Sequence, residues 1–120
     1  MEFTIIELRS ILISSRNRLS NESDLQDDLN ARLQCSKYKN FKKEWSFNKE
    51  SRIDFFDPDL GIGIEVKIKG SPNEILKQLE RYAKIPEVKV LVLATAFFMG
   101  LPPEIEGKPV YLFHLSKGLL

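Results

Sequence analysis

The chain has one cysteine and one histidine in 120 residues. Cys35 therefore has no partner for an internal disulfide and no second thiol with which to share a metal. His114 has no second histidine for a metal or nucleophile pair, and Ser-His-Asp chemistry has no support. Charge of one sign is lacking too. The 18 Lys and Arg against 17 Asp and Glu leave a net charge of +1, so any site for a polyanion must come from local clustering. The longest apolar stretch, residues 88–99, is broken by Lys89 and Thr95 and is too short to span a membrane as a helix. Met1-Glu2-Phe3 lacks the basic start of a signal peptide. These absences predict a soluble, cytoplasmic protein. No repeat period of roughly 20–50 residues recurs. What is present, 42% hydrophobic and 29% charged residues over this length, fits one domain, residues 1–120, able to bury a core without staples.

Local pattern then orders the elements. Thr4-Ile5-Ile6-Glu7 has the spacing of a capping box, and Ile5, Leu8 and Leu12 follow at helical intervals up to a break at Ser14-Ser15. Ser20 or Asn21 can cap a second helix, whose stripe is Leu25, Leu29 and Leu33. Residues 36–43 are polar and basic, after which the period changes to two. Trp45 and Phe47 alternate with Ser46 and Asn48, and Ile53 and Phe55 alternate with Arg52, Asp54 and Phe56. Asp57-Pro58-Asp59-Leu60-Gly61 is a turn cluster, so a hairpin follows. Ile62, Ile64, Val66 and Ile68 line one face of the next strand and leave Glu65, Lys67 and Lys69 on the other. Ser71-Pro72-Asn73-Glu74, with Ser71 as the capping side chain, Pro72 at the first helical position and Glu74 at the third, starts a helix that Pro86 ends. Val90 to Ala94 is apolar on both faces, as a central strand covered on two sides would be. Loop or short helix over 97–108 then precedes a last strand from Val110. The predicted order is ααβββαββ, an α/β mixed sheet with one crossover.

One constellation carries chemistry. Glu65 and Lys67 are two apart on a strand and project together roughly 6.5–7 Å apart, and a hairpin partner can bring Asp54 beside them. Two converging carboxylates suit a hard cation, since Mg²⁺ takes one or two carboxylates and completes its shell with water and substrate phosphate. A lysine there can stabilise the transition state of phosphoryl chemistry. The same spacing also describes the solvated face of an ordinary hairpin. Glu22 falls with Gln26, Leu29 and Leu33 rather than with Asp24, Asp27 and Asp28, so it can reach inward as a third carboxylate, although a helix's first turn favours acid for its dipole alone. Gln78 and Tyr82 stack four apart on the helix after the Glu65 strand. A tyrosine at that spacing suits a core, but an inward amide wants a partner.

Glu22 on a helix, Arg52-Ile53-Asp54, Glu65-Val66-Lys67 and Gln78-Leu79-Glu80-Arg81-Tyr82 resemble the motifs of the PD-(D/E)XK nuclease superfamily over residues 20–96. Ile53 stands where the family name has Pro, a position known to vary. The resemblance implies an αβββαβ restriction-endonuclease-like core, here with an extra N-terminal helix and a C-terminal strand. It implies that Asp54 and Glu65 bind catalytic Mg²⁺ or Mn²⁺, that Lys67 is the catalytic lysine, and that Glu22 assists at the metal. Gln78 and Tyr82 match a helix motif of some nuclease branches. The expected activity is an endonuclease hydrolysing DNA phosphodiesters. Small stand-alone members include junction resolvases, so branched or damaged DNA is the expected substrate, and a homodimer would set two active sites on two strands. A non-catalytic nucleic-acid-binding subunit and an RNA nuclease are the alternatives.

Candidate nucleic-acid contacts are Lys42, Lys43, Lys49, Arg52, Lys69 and Tyr82, with Lys37 and Lys39 in the same basic segment. A charge run of this kind is also the ordinary composition of a solvated loop. Gly61-Ile62-Gly63 precedes no helix and is not a phosphate-binding loop; it permits close backbone approach or a bulge.

Overall fold

The computed structural model describes residues 1–13 and 19–115. It is an α+β fold of three helices and a six-stranded mixed sheet. The apolar stripes predicted from the sequence are the buried faces. In α1 (Glu2–Ile13) these are Ile5, Leu8 and Leu12, and in α2 (Glu22–Gln34) they are Leu25, Leu29 and Leu33. Together they cover one face of the sheet, against Phe55, Ile62, Ile64, Val66, Val90 and Val92. The other face is covered by α3 (Pro72–Ala83), whose Ile75, Leu79, Tyr82 and Ala83 pack on Ile53, Leu91, Leu93 and Val110.

The strands are β1 (Lys42–Asn48), β2 (Ser51–Asp57), β3 (Ile62–Lys67), β4 (Val90–Thr95), β5 (Glu104–Ile105) and β6 (Lys108–His114). Their order across the sheet is β1-β2-β3-β4-β6-β5. The first three are antiparallel neighbours, whereas β3 with β4 and β4 with β6 are parallel. The helix α3 thus links two adjacent parallel strands, and every residue of β4 is buried between the two helical layers. Among the described residues no helix is long and apolar enough to cross a membrane.

Local details depart from expectation in five places. The helix α1 begins at Glu2, and Ile5 N–H bonds Met1 O at 3.0 Å, so Thr4 lies inside the helix and caps nothing. The predicted break at Ser14-Ser15 lies outside the described residues. Asn21 is the cap of α2, its side chain accepting from Asp24 N–H at 2.8 Å; Ser71 holds the corresponding place before α3 but makes no side-chain cap bond, leaving Pro72 as the start signal. Lys42 and Lys43 belong to β1 rather than to a preceding loop. Residues 97–108 contain β5, joined to β6 through Glu106 and Gly107, both at positive φ (54° and 75°), as a two-residue hairpin of mirror-turn type requires. Glu is a poor sequence signal for that conformation, which is why the hairpin escapes a reading by pattern. Finally, Ile53 packs with Phe56 under α3 while Phe55 faces α1 and α2. The two-residue period breaks at Asp54.

The β2–β3 turn is braced by Asp57, whose Oδ1 accepts from the N–H groups of Asp59 (2.9 Å) and Leu60 (3.0 Å). Gly61 ends the turn at φ 71° and its carbonyl accepts from the N–H groups of Lys89 (2.7 Å) and Val90 (3.1 Å), which docks the entry to β4. A Cβ there would sit 2.7 Å from Lys89 Cγ and 3.0 Å from Glu87 O. Gly107 shares the positive φ, but a Cβ there would meet nothing within 4 Å. Gly107→Ala should therefore cost only the conformational strain of about 1–2 kcal/mol, and Gly61→Ala should cost clearly more because the β4 entry must also move. Urea unfolding of the two variants compares the costs; equal losses would contradict the close approach at Gly61.

Candidate active site

The site is built where β2 and β3 stop pairing. Phe55 faces Ile64, Phe56 faces Gly63 and Asp57 faces Ile62, so the next opposed pair is Asp54 with Glu65. The backbone ladder does not extend to it. Side chains take over: Asp54 N–H donates to Glu65 Oε1 at 3.3 Å, and Val66 N–H donates to Asp54 Oδ2 at 2.8 Å. Each carboxylate thus accepts from an N–H group of the opposite strand, and the two strands are tied across a fork.

Three neighbours define the fork. Lys67 Nζ lies 3.5 Å from Glu65 Oε2. Tyr82, from α3, brings its hydroxyl within 3.4 Å of Glu65 Oε1, donates to Arg52 O at 2.7 Å and accepts from Gln78 Nε2 at 2.9 Å. Glu22, at the start of α2, accepts from Ile68 N–H at 3.3 Å through Oε2, just beyond the end of β3. The reading of Glu22 as the inward acid of its helix therefore matches its placement. Asp54 Oδ1 receives no hydrogen bond from the described residues.

Glu65 is only 3% exposed. Burial first, and then the nearby Asp54 charge, push its carboxyl up to about 8 against the opposing Lys67. Asp54 is raised to about 6, first by burial and then by the charges of Glu22 and Glu44, against the Val66 N–H and Lys67. Burial, and after it the Glu65 charge, likewise raises the Tyr82 phenol, so it remains a neutral donor. Two hard oxygen donors, one with an unused lone-pair oxygen, with too little cationic charge between them, are the donor set that a Mg²⁺-like ion accepts while keeping several waters. Among the described residues no three His, Cys, Asp or Glu side chains close into a ready-made cage, so the fit is that of a two-carboxylate site with Glu22 at its edge.

The remaining predicted residues divide. Tyr82 reaches Glu65 and Gln78 bonds Tyr82; Tyr82 is 2% exposed, which leaves little of it open to the nucleic-acid contact predicted for it. Lys43 is paired with Asp27 at 2.9 Å, tying β1 to α2, while Lys42, Lys49, Arg52 and Lys69 are exposed. Lys49 and Arg52 line a cleft of about 340 Å³ with Gln78, Tyr82 and Arg81. Arg81 was not foreseen, because its direction follows from how α3 docks. Glu44 was also missed. It lies between the paired residues Lys43–Phe55 and Trp45–Ile53 at φ 53°, on β1 beside Asp54, and nothing in a glutamate advertises a left-handed backbone.

No family model, no curated protein and no solved structure matches this chain. The functional reading rests on its own residues.

The raised carboxyls give a signed expectation for the metal-free protein. Between the ordinary Glu value of 4.5 and about 8 the folded state keeps a proton on Glu65 that the unfolded chain has released. The stability that Glu65 contributes should therefore be fully present below 4.5 and fall as pH rises through that window. In Glu65→Gln the fall should largely vanish, leaving only the smaller contribution of Asp54. Thermal unfolding across pH without divalent cations measures this, and a wild-type melting temperature that rises from pH 4.5 to 8 would contradict the burial of an ionisable Glu65.

Proposed function

We propose that the chain is a Mg²⁺- or Mn²⁺-dependent endonuclease that hydrolyses DNA phosphodiester bonds. The observation that carries this reading is the convergence of Asp54, Glu65 and Lys67 at a fork in the sheet, with two carboxylates raised by burial and one lysine beside them. Asp54 and Glu65 would hold the metal, with Glu22 at its edge. A bound divalent ion supplies Lewis-acid polarisation of the phosphate and lowers the pKa of a bound water.

The chain's own residues do the rest. Lys67 is partly exposed, with 22% of its side-chain surface accessible, and its ammonium is free to leave Glu65 for charge building on the phosphoryl oxygens. Tyr82 and Gln78 fix the orientation of Glu65 through a chain of hydrogen bonds rooted on Arg52 O. Water oxygen adds to phosphorus as the bond to the leaving sugar oxygen breaks, and no covalent enzyme intermediate is needed. Lys49, Arg52 and Arg81 offer their charges to neighbouring phosphates from the adjoining cleft. Branched or damaged DNA is the substrate form we favour, because no separate base-reading element accompanies the fork among the described residues.

The test is single-turnover cleavage of linear duplex, single-stranded and branched DNA, and of RNA, in Mg²⁺ and in Mn²⁺. Wild type should cleave at least one DNA form. Asp54→Ala and Glu65→Ala should abolish cleavage together with cation binding, and Lys67→Ala should lose roughly 10²-fold or more in rate while cation binding survives. Should wild type and Lys67→Ala show the same lack of cleavage on every substrate while both bind DNA, the chain is a binding subunit.

A further inference from the structure

The fork leaves unused the single histidine and the most exposed large apolar side chain among the described residues, Phe98 at 77% exposure. The two are in contact. The Phe98 and His114 rings lie 3.7 Å apart between centroids and 9° from parallel. His114 covers one face of the phenyl ring and the other is left to solvent.

The sheet register places this pair relative to the site. Lys67 of β3 is opposite Thr95 of β4, and Thr95 is opposite His114 of β6. Leu93 and Leu112, two residues earlier on their strands, lie in the core under α3, so this row projects on the α3 side of the sheet, as Glu65 and Lys67 do. Two strand spacings of roughly 4.8 Å put His114 about 10 Å from Lys67 across the sheet. The segment carrying Phe98 is anchored at its start: the buried Thr95 hydroxyl donates to Phe97 O at 2.6 Å, and Leu115 N–H donates to Thr95 O at 2.7 Å.

We propose that Phe98, backed by His114, is a stacking platform for an unpaired nucleobase of the strand whose phosphate occupies the fork. This inference rests on the nuclease reading and adds to it a preference for single-stranded or frayed nucleic acid. A single ring with one open π-face matches one base in size and offers far too little apolar area for a protein partner. A base inside a duplex has both faces covered by its neighbours, whereas an unpaired base presents one, and stacking on an aromatic ring accepts any base. At roughly 3.4 Å per nucleotide of stacked strand, the His114 position that backs the platform lies within a few nucleotides of the phosphate beside Lys67.

Binding measured in a Lys67→Ala background, with Mg²⁺ present, tests the platform without cleavage. The probes are a labelled single-stranded DNA, a blunt duplex of the same sequence, and a single strand carrying a fluorescent adenine analogue that is quenched on stacking. Adding Phe98→Ala should weaken single-strand binding by about tenfold, abolish the quench and leave duplex binding within about twofold. Phe98→Trp should retain both binding and quench, and Phe98→Leu, apolar without a π-face, should behave like Ala. Unchanged single-strand binding in Phe98→Ala, or equal loss on single strand and duplex, overturns the platform and leaves the nuclease reading standing. If the Lys67→Ala protein with Phe98 intact binds neither DNA form, the nuclease reading fails and the platform fails with it.

Discussion

Two backbone N–H groups, of Asp54 and Val66, lie where the paired ladder of β2 and β3 ends. The carboxylates of Glu65 and Asp54 accept from them, each reaching across to the opposite strand. An unpaired buried N–H costs about 1–3 kcal/mol, so this exchange holds the fork open at a fixed width and fixes both acids in place. Everything else at the site is arranged around it. Lys67 follows Glu65 by one strand period, Glu22 closes the far end by accepting Ile68 N–H, and Tyr82 reaches Glu65 from α3.

The arrangement is electrostatically incomplete. Two acids face one lysine in a largely buried setting, and both carboxyls are raised as a result. Burying charge without full compensation works against stability. A sheet that needed only to be stable would continue the ladder past Phe55 and Ile64 and place apolar residues at the fork. Local rules broken in this way, together with the left-handed Glu44 beside them, gather around Asp54 in the middle of β2, as is usual where a protein trades stability for a site. A divalent cation would supply the missing positive charge while leaving both backbone bonds in place.

Much of this was visible in the residues themselves. Helical stripes such as Leu25, Leu29 and Leu33 and the wholly apolar β4 gave the layers, because burial on one face or on two leaves different periods in a sequence. The spacing of Asp54, Glu65 and Lys67 gave the convergence, because a hairpin and a two-residue strand period are short-range geometry. What escaped depends on the third dimension. The switch of Ile53 and Phe55 to opposite faces follows from the fork itself, and a strict alternation cannot foresee it. The shared cleft of Arg81 with Arg52 follows from how α3 docks, and the Phe98–His114 stack joins a loop to a strand sixteen residues on. The side-chain cap expected of Ser71 and the capping box at Thr4 fail for a simpler reason: both motifs are compatible with helices whose ends are fixed by other bonds.

The central claim is that the two carboxylates crossing the fork form a cation site without giving up their backbone partners. Titration of isotope-labelled protein with Mn²⁺, followed by paramagnetic broadening of amide resonances, tests it most directly. The account predicts that the amides of Asp54, Glu65, Val66 and Lys67 broaden first, that Ile68 beside Glu22 follows, and that Mg²⁺ in excess restores them. Broadening centred instead on the turn at Asp57 and Asp59, or spread evenly over exposed acids with none at Asp54 and Val66, would contradict it.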